Sequence, residues 1–309
     1  MLFIDLKIIN IFMIGFSLLI IIFIISKIEC NSYKLSTFDI KNNKNSSKLK
    51  IIFISDYHNK VYSDKLEKLL YDIKNLKPDY IILGGDFINF SKFQSLQNKL
   101  GIENTYIFIN RLLDICRDET DSSLKGVYFS FGNHELRLKN RVDRADFKDE
   151  YNKLITFLTD NNILLLDDNS YDIDSNVSLY GLSLYEGYYN KLFTKKTTYK
   201  HIDDKILKDY FKNFDDSKFN IISFHKPDYA EDLIDFGFDL VLSGHYHGGL
   251  INFPILGPII SPDLKLFPKY SMGNYIYKMK NIIVSSGLGE HFVKIRVNNR
   301  PEAVVINIV

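Results

Sequence analysis

One recurrence limits this chain's possible folds more than any other feature. Short apolar, β-prone runs keep ending in residues that carry nitrogen or oxygen lone pairs. Residues 50–55 run into Asp56-Tyr57-His58, residues 80–83 into Gly84-Gly85-Asp86, and residues 127–131 into Gly132-Asn133-His134-Glu135. Residues 219–224 lead to His225, and residues 240–242 to Ser243-Gly244-His245-Tyr246-His247. Five of the seven histidines fall in these segments. Imidazole, carboxylate and amide groups gathered at strand ends are what a divalent metal centre needs. Taken singly, each segment has an ordinary reading: Asp56 and His58 as turn residues, Gly85-Asp86 as a plain turn, His225 as a satisfied core histidine. Five together in one chain do not.

Helical stretches separate the runs. Residues 64–76 place Leu66, Leu69, Leu70 and Ile73 on one face, as a 3.6-residue period requires. Residues 106–116 and 146–160 read as further helices. Strands are expected at 163–166 and 177–180, and the tail looks all-β, at 275–277, 282–285, 293–297 and 303–308. Helices between successive strands imply crossover units, and the strand-rich second half implies a second sheet packed on the first. The fold class is therefore α/β, a layered sandwich with ligands at the carboxyl ends of its strands.

Nineteen consecutive uncharged residues, 8–26, lie between Lys7 and Lys27. About twenty helical residues at ~1.5 Å each match the hydrocarbon core of a bilayer. A cleaved secretory peptide is the competing reading, but its apolar stretch is usually about 7–15 residues and ends at a small-residue site. Ser26-Lys27-Ile28-Glu29-Cys30 offers no such site. The expected organisation is a transmembrane anchor at 1–29, a polar linker at 30–48 and a catalytic domain at 49–309, in a single-pass protein of the cell membrane. Lys27, Lys34, Lys41 and Lys44 outnumber Lys7, which leans toward a cytoplasmic domain without fixing its side. Lys+Arg 39 against Asp+Glu 38 leaves a net charge of +1, so no electrostatic pull toward nucleic acid is visible. With only Cys30 and Cys116, neither a disulfide framework nor a cysteine-based zinc site can be built.

In this order, the motifs D-x-H, G-D, G-N-H-E, H and G-H-x-H resemble the calcineurin-like metallophosphoesterase superfamily. Phe267-Pro268-Lys269-Tyr270, Ser286-Gly287-Leu288-Gly289 and Asn299-Arg300-Pro301-Glu302 extend the likeness to its membrane-associated bacterial branch. The resemblance implies an α/β/β/α sandwich of the metallophosphoesterase type and two divalent ions, Mn, Fe, Zn or Co. It implies one ion held by Asp56, His58, Asp86 and His247, a second by Asp86, Asn133, His225 and His245, and His134 as catalytic acid. It further implies hydrolysis of a phosphodiester or pyrophosphate bond, of a lipid-linked or sugar-nucleotide substrate. A soluble nucleotide or nucleic-acid phosphodiesterase and a non-catalytic metal-binding scaffold are the alternatives.

Tyr57, Tyr246 and Leu250 depart from the residues common in the family, and Asn89 stands where a second carboxylate is sometimes found. Arg137, Lys139, Arg141 and Arg144 form a basic run, interspersed with acids, that reads as a solvated face. Tyr180, Tyr185, Tyr188, Tyr189 and Phe193 read as loop packing, with a substrate cleft as the other option. His201 and His291 read as surface or packing residues, and Arg296 and Arg300 as candidates to contact substrate phosphate.

Overall fold

Ile51 and Phe53 point to one side of their strand, Ile52 and Ile54 to the other, and all four are buried. A strand apolar on both faces must be covered on both faces. The computed structural model meets this demand with two stacked sheets and outer helices. It describes residues 6–44, 47–61, 63–90, 102–117, 122–143, 145–184, 186–189, 201–249, 252–253, 257–261, 265–289 and 295–309.

The first half runs α1 (Leu6–Cys30), β1 (Lys34–Ile40), β2 (Leu49–Ile54), α2 (Asp64–Asn75), β3 (Tyr80–Gly84), α3 (Ile102–Cys116), β4 (Gly126–Ser130), α4 (Asn133–Lys139), α5 (Ala145–Asp160) and β5 (Ile163–Leu166). The second half runs β6 (Ser170–Asp174), β7 (Val177–Gly181), α6 (Asp204–Tyr210), β8 (Phe219–Ser223), α7 (Ala230–Phe236) and β9 (Leu240–Ser243), then β10 (Asn252–Phe253), β11 (Gly257–Pro258), β12 (Gly273–Tyr277), β13 (Lys280–Val284) and β14 (Glu302–Ile308).

One six-stranded sheet has the order β1-β14-β2-β3-β4-β5, and the other β12-β13-β9-β8-β7-β6. Between them lies a layer that includes Ile51, Phe53, Tyr80, Ile82, Ile221, Leu240, Leu242 and Ile283. The alternate residues Ile52, Ile81, Ile222 and Val241 pack outward with Leu66, Leu69, Leu112, Leu154 and Leu233 of the helices. The layering is therefore α/β/β/α. β2, β3 and β4 are mutually parallel, as are β8 and β9, so the carboxyl end of each lies at one edge of its sheet.

Two expectations need correction. Residues 30–48 are not simply a polar linker, because β1 pairs in parallel with β14 from Lys34 opposite Glu302 to Ile40 opposite Ile308. Within this edge strand only Ile40 is fully buried, and its partner comes from the far end of the chain, so no local pattern announces it. The strand expected at 293–297 is also absent among the described residues 295–297, and 293–294 lie outside them.

α1 carries its apolar side chains into the open, with Phe12 73% and Phe16 67% exposed. Its stretch Phe12–Cys30 is long and apolar enough to cross a membrane. Its last turn differs: Ser26, Glu29 and Cys30 are buried against the rest of the protein.

Candidate metal centre

Five loops meet where the two sheets' carboxyl edges face each other. Backbone and side chain stitch them together: the Asp56 N–H donates to Gly85 O (2.9 Å), and the Gly244 N–H to His225 O (3.0 Å). The His245 N–H donates to the Asp56 carboxylate at 3.0 Å, and Ser130 and Ser223 share a hydroxyl contact of 2.7 Å across the sheets.

The side chains so gathered form three overlapping groups: Asp56, His58 and His247; His58, Asp86 and His134; Asp86, His225 and His245. Within each group the potential ligand atoms lie within 4.8 Å of one another. His58 Nε2 and His247 Nε2 are 3.0 Å apart, and His247 Nε2 is 3.3 Å from Asp56 Oδ1. His225 Nε2 lies 3.1 Å from Asp86 Oδ2 and 3.5 Å from Asp56 Oδ1. All these side chains are buried except His134, whose side chain is 14% exposed.

Turns beyond the strands, and not the strands themselves, set this geometry. Asp56 (φ 54°), His58 (φ 50°), Asp86 (φ 53°), His245 (φ 70°) and His247 (φ 49°) all take left-handed backbone. They stand in tight turns beyond the strands, so Asp56 and His58 do not share a direction by the two-residue period of a strand. Such conformations cost on the order of 1–3 kcal/mol each for a residue with a side chain and persist only where surroundings over-determine them. Backbone contacts supply that determination, among them the His58 N–H to Asp86 O at 3.0 Å.

Gly132 and Gly244 are needed for close approach. A Cβ on Gly132 would sit 2.2 Å from Asp86 Oδ1, and one on Gly244 2.2 Å from Asp56 Oδ2. Gly132→Ala is therefore expected to push the Asp86 carboxylate aside and weaken Mn²⁺ binding by at least ~10-fold, the scale seen when support around a metal site is disturbed. A Mn²⁺ titration checks this, and unchanged affinity would contradict it.

The electrostatics favour a cation. Burial opposes charge on Asp86, but the imidazoles of His225, His134 and His58 outweigh it and hold the carboxyl well below its ordinary range. Burial likewise disfavours a charged His225, yet Asp86 and Asp56 push it up to about 10. Carboxylates that hold a proton on an imidazole this firmly would hold a divalent cation in its place. His225 donates from Nδ1 to Gly84 O (2.9 Å), the kind of bond that fixes a ligating imidazole and turns its other nitrogen inward.

The Asn133 amide stands beside the same cluster. Its amide oxygen faces His245 Nδ1 and its amide nitrogen faces Arg137. Hydrogen bonding alone would turn the group over, placing the nitrogen 2.8 Å from His245 Nδ1 and the oxygen 3.1 Å from the guanidinium. The donor set therefore fits divalent metal: mixed imidazole, carboxylate and amide groups, suited to Mn²⁺, Fe²⁺, Zn²⁺ or Co²⁺.

Glu135 is the functional residue that sequence reasoning passed over. It stands beside His134 in the G-N-H-E motif, but its buried carboxylate accepts the N–H groups of Asp86, Phe87, Ile88 and Gly132 at 2.9–3.0 Å. Arg296 is corrected: it is buried, and its guanidinium donates to Ser286, Gly287 and Gly289 carbonyls, so it does not face a substrate. Arg300 is exposed. Tyr57 is core, stacked on Phe108 at 4.5 Å. Tyr246 bonds Asp228.

Of the tyrosines, Tyr180 packs on Phe211 and Phe238 and Tyr188 on Tyr229, while Tyr189 reaches within 5.7 Å of the His245 ring. In the basic run, Lys139 pairs with Asp167 at 2.6 Å and Arg141 lies over Phe90. His201 is on the surface, 3.0 Å from Asp232. Arg144, Tyr185, Phe193, Leu250 and His291 lie outside the described residues.

Residues 49–249 match the family model for calcineurin-like phosphoesterases. The metallophosphoesterase YkoQ of Bacillus subtilis is 25% identical over 82% of this chain and 82% of its own length. The UDP-2,3-diacylglucosamine pyrophosphatase LpxG of Chlamydia muridarum is 27% identical, over 74% of this chain and 73% of its own. The phosphodiesterase YaeI of Escherichia coli is 32% identical over a shorter stretch, 28% of this chain and 30% of its own.

Proposed function

This chain belongs to the calcineurin-like phosphoesterase family, and from that premise we propose that it is a membrane-anchored hydrolase of a phosphodiester or pyrophosphate bond in a lipid-linked substrate. Metal-dependent phosphoester hydrolysis follows from the family. The finer reading concerns the residues, the membrane and the substrate.

Asp56, His58, Asp86 and His247 would hold one divalent ion, and Asp86, Asn133, His225 and His245 the other, with Asp86 shared. Bound there, two cations supply Lewis acidity that makes an attacking water acidic and offsets charge on the phosphoryl oxygens. The rest of the chemistry belongs to the chain. His134 accepts the Phe90 N–H at Nδ1 over 2.7 Å, so its neutral ring carries the proton on Nε2. That nitrogen lies 3.8 Å from Asp86 Oδ2, on the exposed side of the cluster, where it would share its proton with the departing oxygen in a hydrogen bond as negative charge builds there. The observation that carries the reading is the convergence of five strand-end segments into overlapping groups of ligand atoms.

Two features support a lipid-linked substrate. α1 is long and apolar enough to cross a membrane, and tethering raises the local concentration of enzyme at a membrane surface. A relative that spans most of its own length in the match is named for a pyrophosphate of a diacylated sugar nucleotide. The test is a substrate screen of the full chain in detergent, with metal analysis on the same sample. Metal-dependent cleavage of lipid pyrophosphates or phosphodiesters is expected. Turnover of soluble nucleotides alone would replace the lipid reading with a nucleotide phosphodiesterase. No turnover across the panel with Mn²⁺, Fe²⁺, Zn²⁺ or Co²⁺ supplied would sink the hydrolase.

A further inference from the structure

The last turn of α1 is wired into the back of the candidate metal centre. Glu29 is buried, and its carboxylate accepts the backbone N–H of Asn299 at 2.9 Å. Asn299 is buried in turn, and its side-chain amide donates to the carbonyls of His247 and, over 2.7 Å, Gly249. Those carbonyls belong to the turn that carries His247 in left-handed backbone, followed by Gly248 (φ 68°) and Gly249 (φ 79°).

A second branch runs through Arg296. Its backbone N–H donates to Ser26 Oγ of α1 at 3.1 Å. Its guanidinium donates to the Asn299 carbonyl at 3.2 Å and to Gly289 O at 2.6 Å. The Gly289 N–H then donates to Asp56 O at 2.7 Å, and the Leu288 N–H to Ser55 O at 3.0 Å. One buried network thus braces both halves of the Asp56, His58 and His247 group, and it starts on the helix that the sequence marks as a separate anchor.

We propose that Asn299 and Glu29 are positioning residues that hold the His247 turn in its left-handed form, so that the foot of α1 is part of the metal site and not only a tether. This rests on the metal-centre reading above. A left-handed turn persists only while its surroundings hold it, and residues that orient ligands control metal affinity from outside the ligand set. The effect is graded. The ion expected at Asp56, His58 and His247 loses its brace directly, and the ion expected at Asn133, His225 and His245 feels it only through the His245 N–H on Asp56.

The experiment is a Mn²⁺ titration of the full chain in detergent, followed by magnetic resonance of the bound Mn²⁺ and paired with thermal unfolding of each variant. Asn299→Ala and Glu29→Ala are each expected to weaken one of the two ions by about 10–100-fold and the other by clearly less. Glu29→Gln, which keeps an acceptor for the Asn299 N–H, is expected to restore parental binding. Parental binding of both ions in both alanine variants overturns the proposal. So does equal weakening of both ions together with a lowered melting temperature, the mark of general loosening. Should Asn299→Ala not fold, the Glu29→Ala and Glu29→Gln pair decides by the same outcomes. A parent protein that binds no Mn²⁺ overturns both readings, whereas one that binds two ions and hydrolyses nothing overturns only the function proposed above.

Discussion

His134→Ala is expected to lower kcat by about 10²–10⁴-fold, the usual contribution of a positioned proton donor, with both metal ions still bound. The argument is geometric. His134 has a fixed tautomer, because the Phe90 N–H occupies Nδ1. Its Nε2 stands beside Asp86 but toward the open side of the cluster, whereas the side chains of Asp56, His58, Asp86, His225 and His247 are at most 5% exposed. A donor to a leaving group must meet substrate, and the ligands of a buried ion need not. The checks are kcat on an ester with a poor leaving group and metal content by elemental analysis. Substrates whose leaving group needs no protonation should lose less. A variant with one metal fewer than the parent would make His134 a ligand, which its place with His58 and Asp86 makes a pointed test.

Glu135→Ala should have the largest effect on stability. Four backbone N–H groups, of Asp86, Phe87, Ile88 and Gly132, end on its carboxylate. Removing the acceptor leaves them in a buried position, where each unsatisfied donor costs about 1–3 kcal/mol. Partial relief by entering water brings the expected loss to roughly 3–5 kcal/mol. Burial raises the Glu135 carboxyl to about 7, with the Asp86 charge adding to it and the N–H groups opposing. Glu135 also holds the backbone N–H of Asp86, so the alanine variant should lose metal affinity as well as stability. Urea unfolding of the metal-free protein measures the first loss. A loss under ~1 kcal/mol, the scale of one ordinary hydrogen bond, would mean the carboxylate is no strut. Glu135→Gln keeps one acceptor oxygen but turns an NH₂ toward donors, and should fall between the two.

Local sequence carried much of the architecture, because strands buried on both faces must be continuously apolar and amphipathic helices must repeat Leu and Ile on one side. β2, β3, β4, β8 and β9, and the buried stripe Leu66, Leu69, Leu70 and Ile73, are legible on that ground. β1 is not, since an edge strand with one fully buried residue obeys neither rule. The chemistry-bearing residue types were legible as well, because lone-pair donors repeated at strand ends have few other uses. Glu135 was hidden for the opposite reason. Its role is to accept backbone N–H groups, and no side-chain pattern records which N–H groups lie nearby.

What the sequence alone determined was therefore composition by layer: which runs are strands, which donors stand at their ends, and the family those motifs belong to. What only the tertiary structure decided was direction. Left-handed turns at Asp56, His58, Asp86, His245 and His247, which lie beyond the strands, aim side chains that strand periodicity does not govern. The burial of Glu29 and Ser26 ties an apparently independent helix to the back of the site. Both depend on contacts between segments far apart in the chain, and such contacts come into being only when the two sheets close on each other.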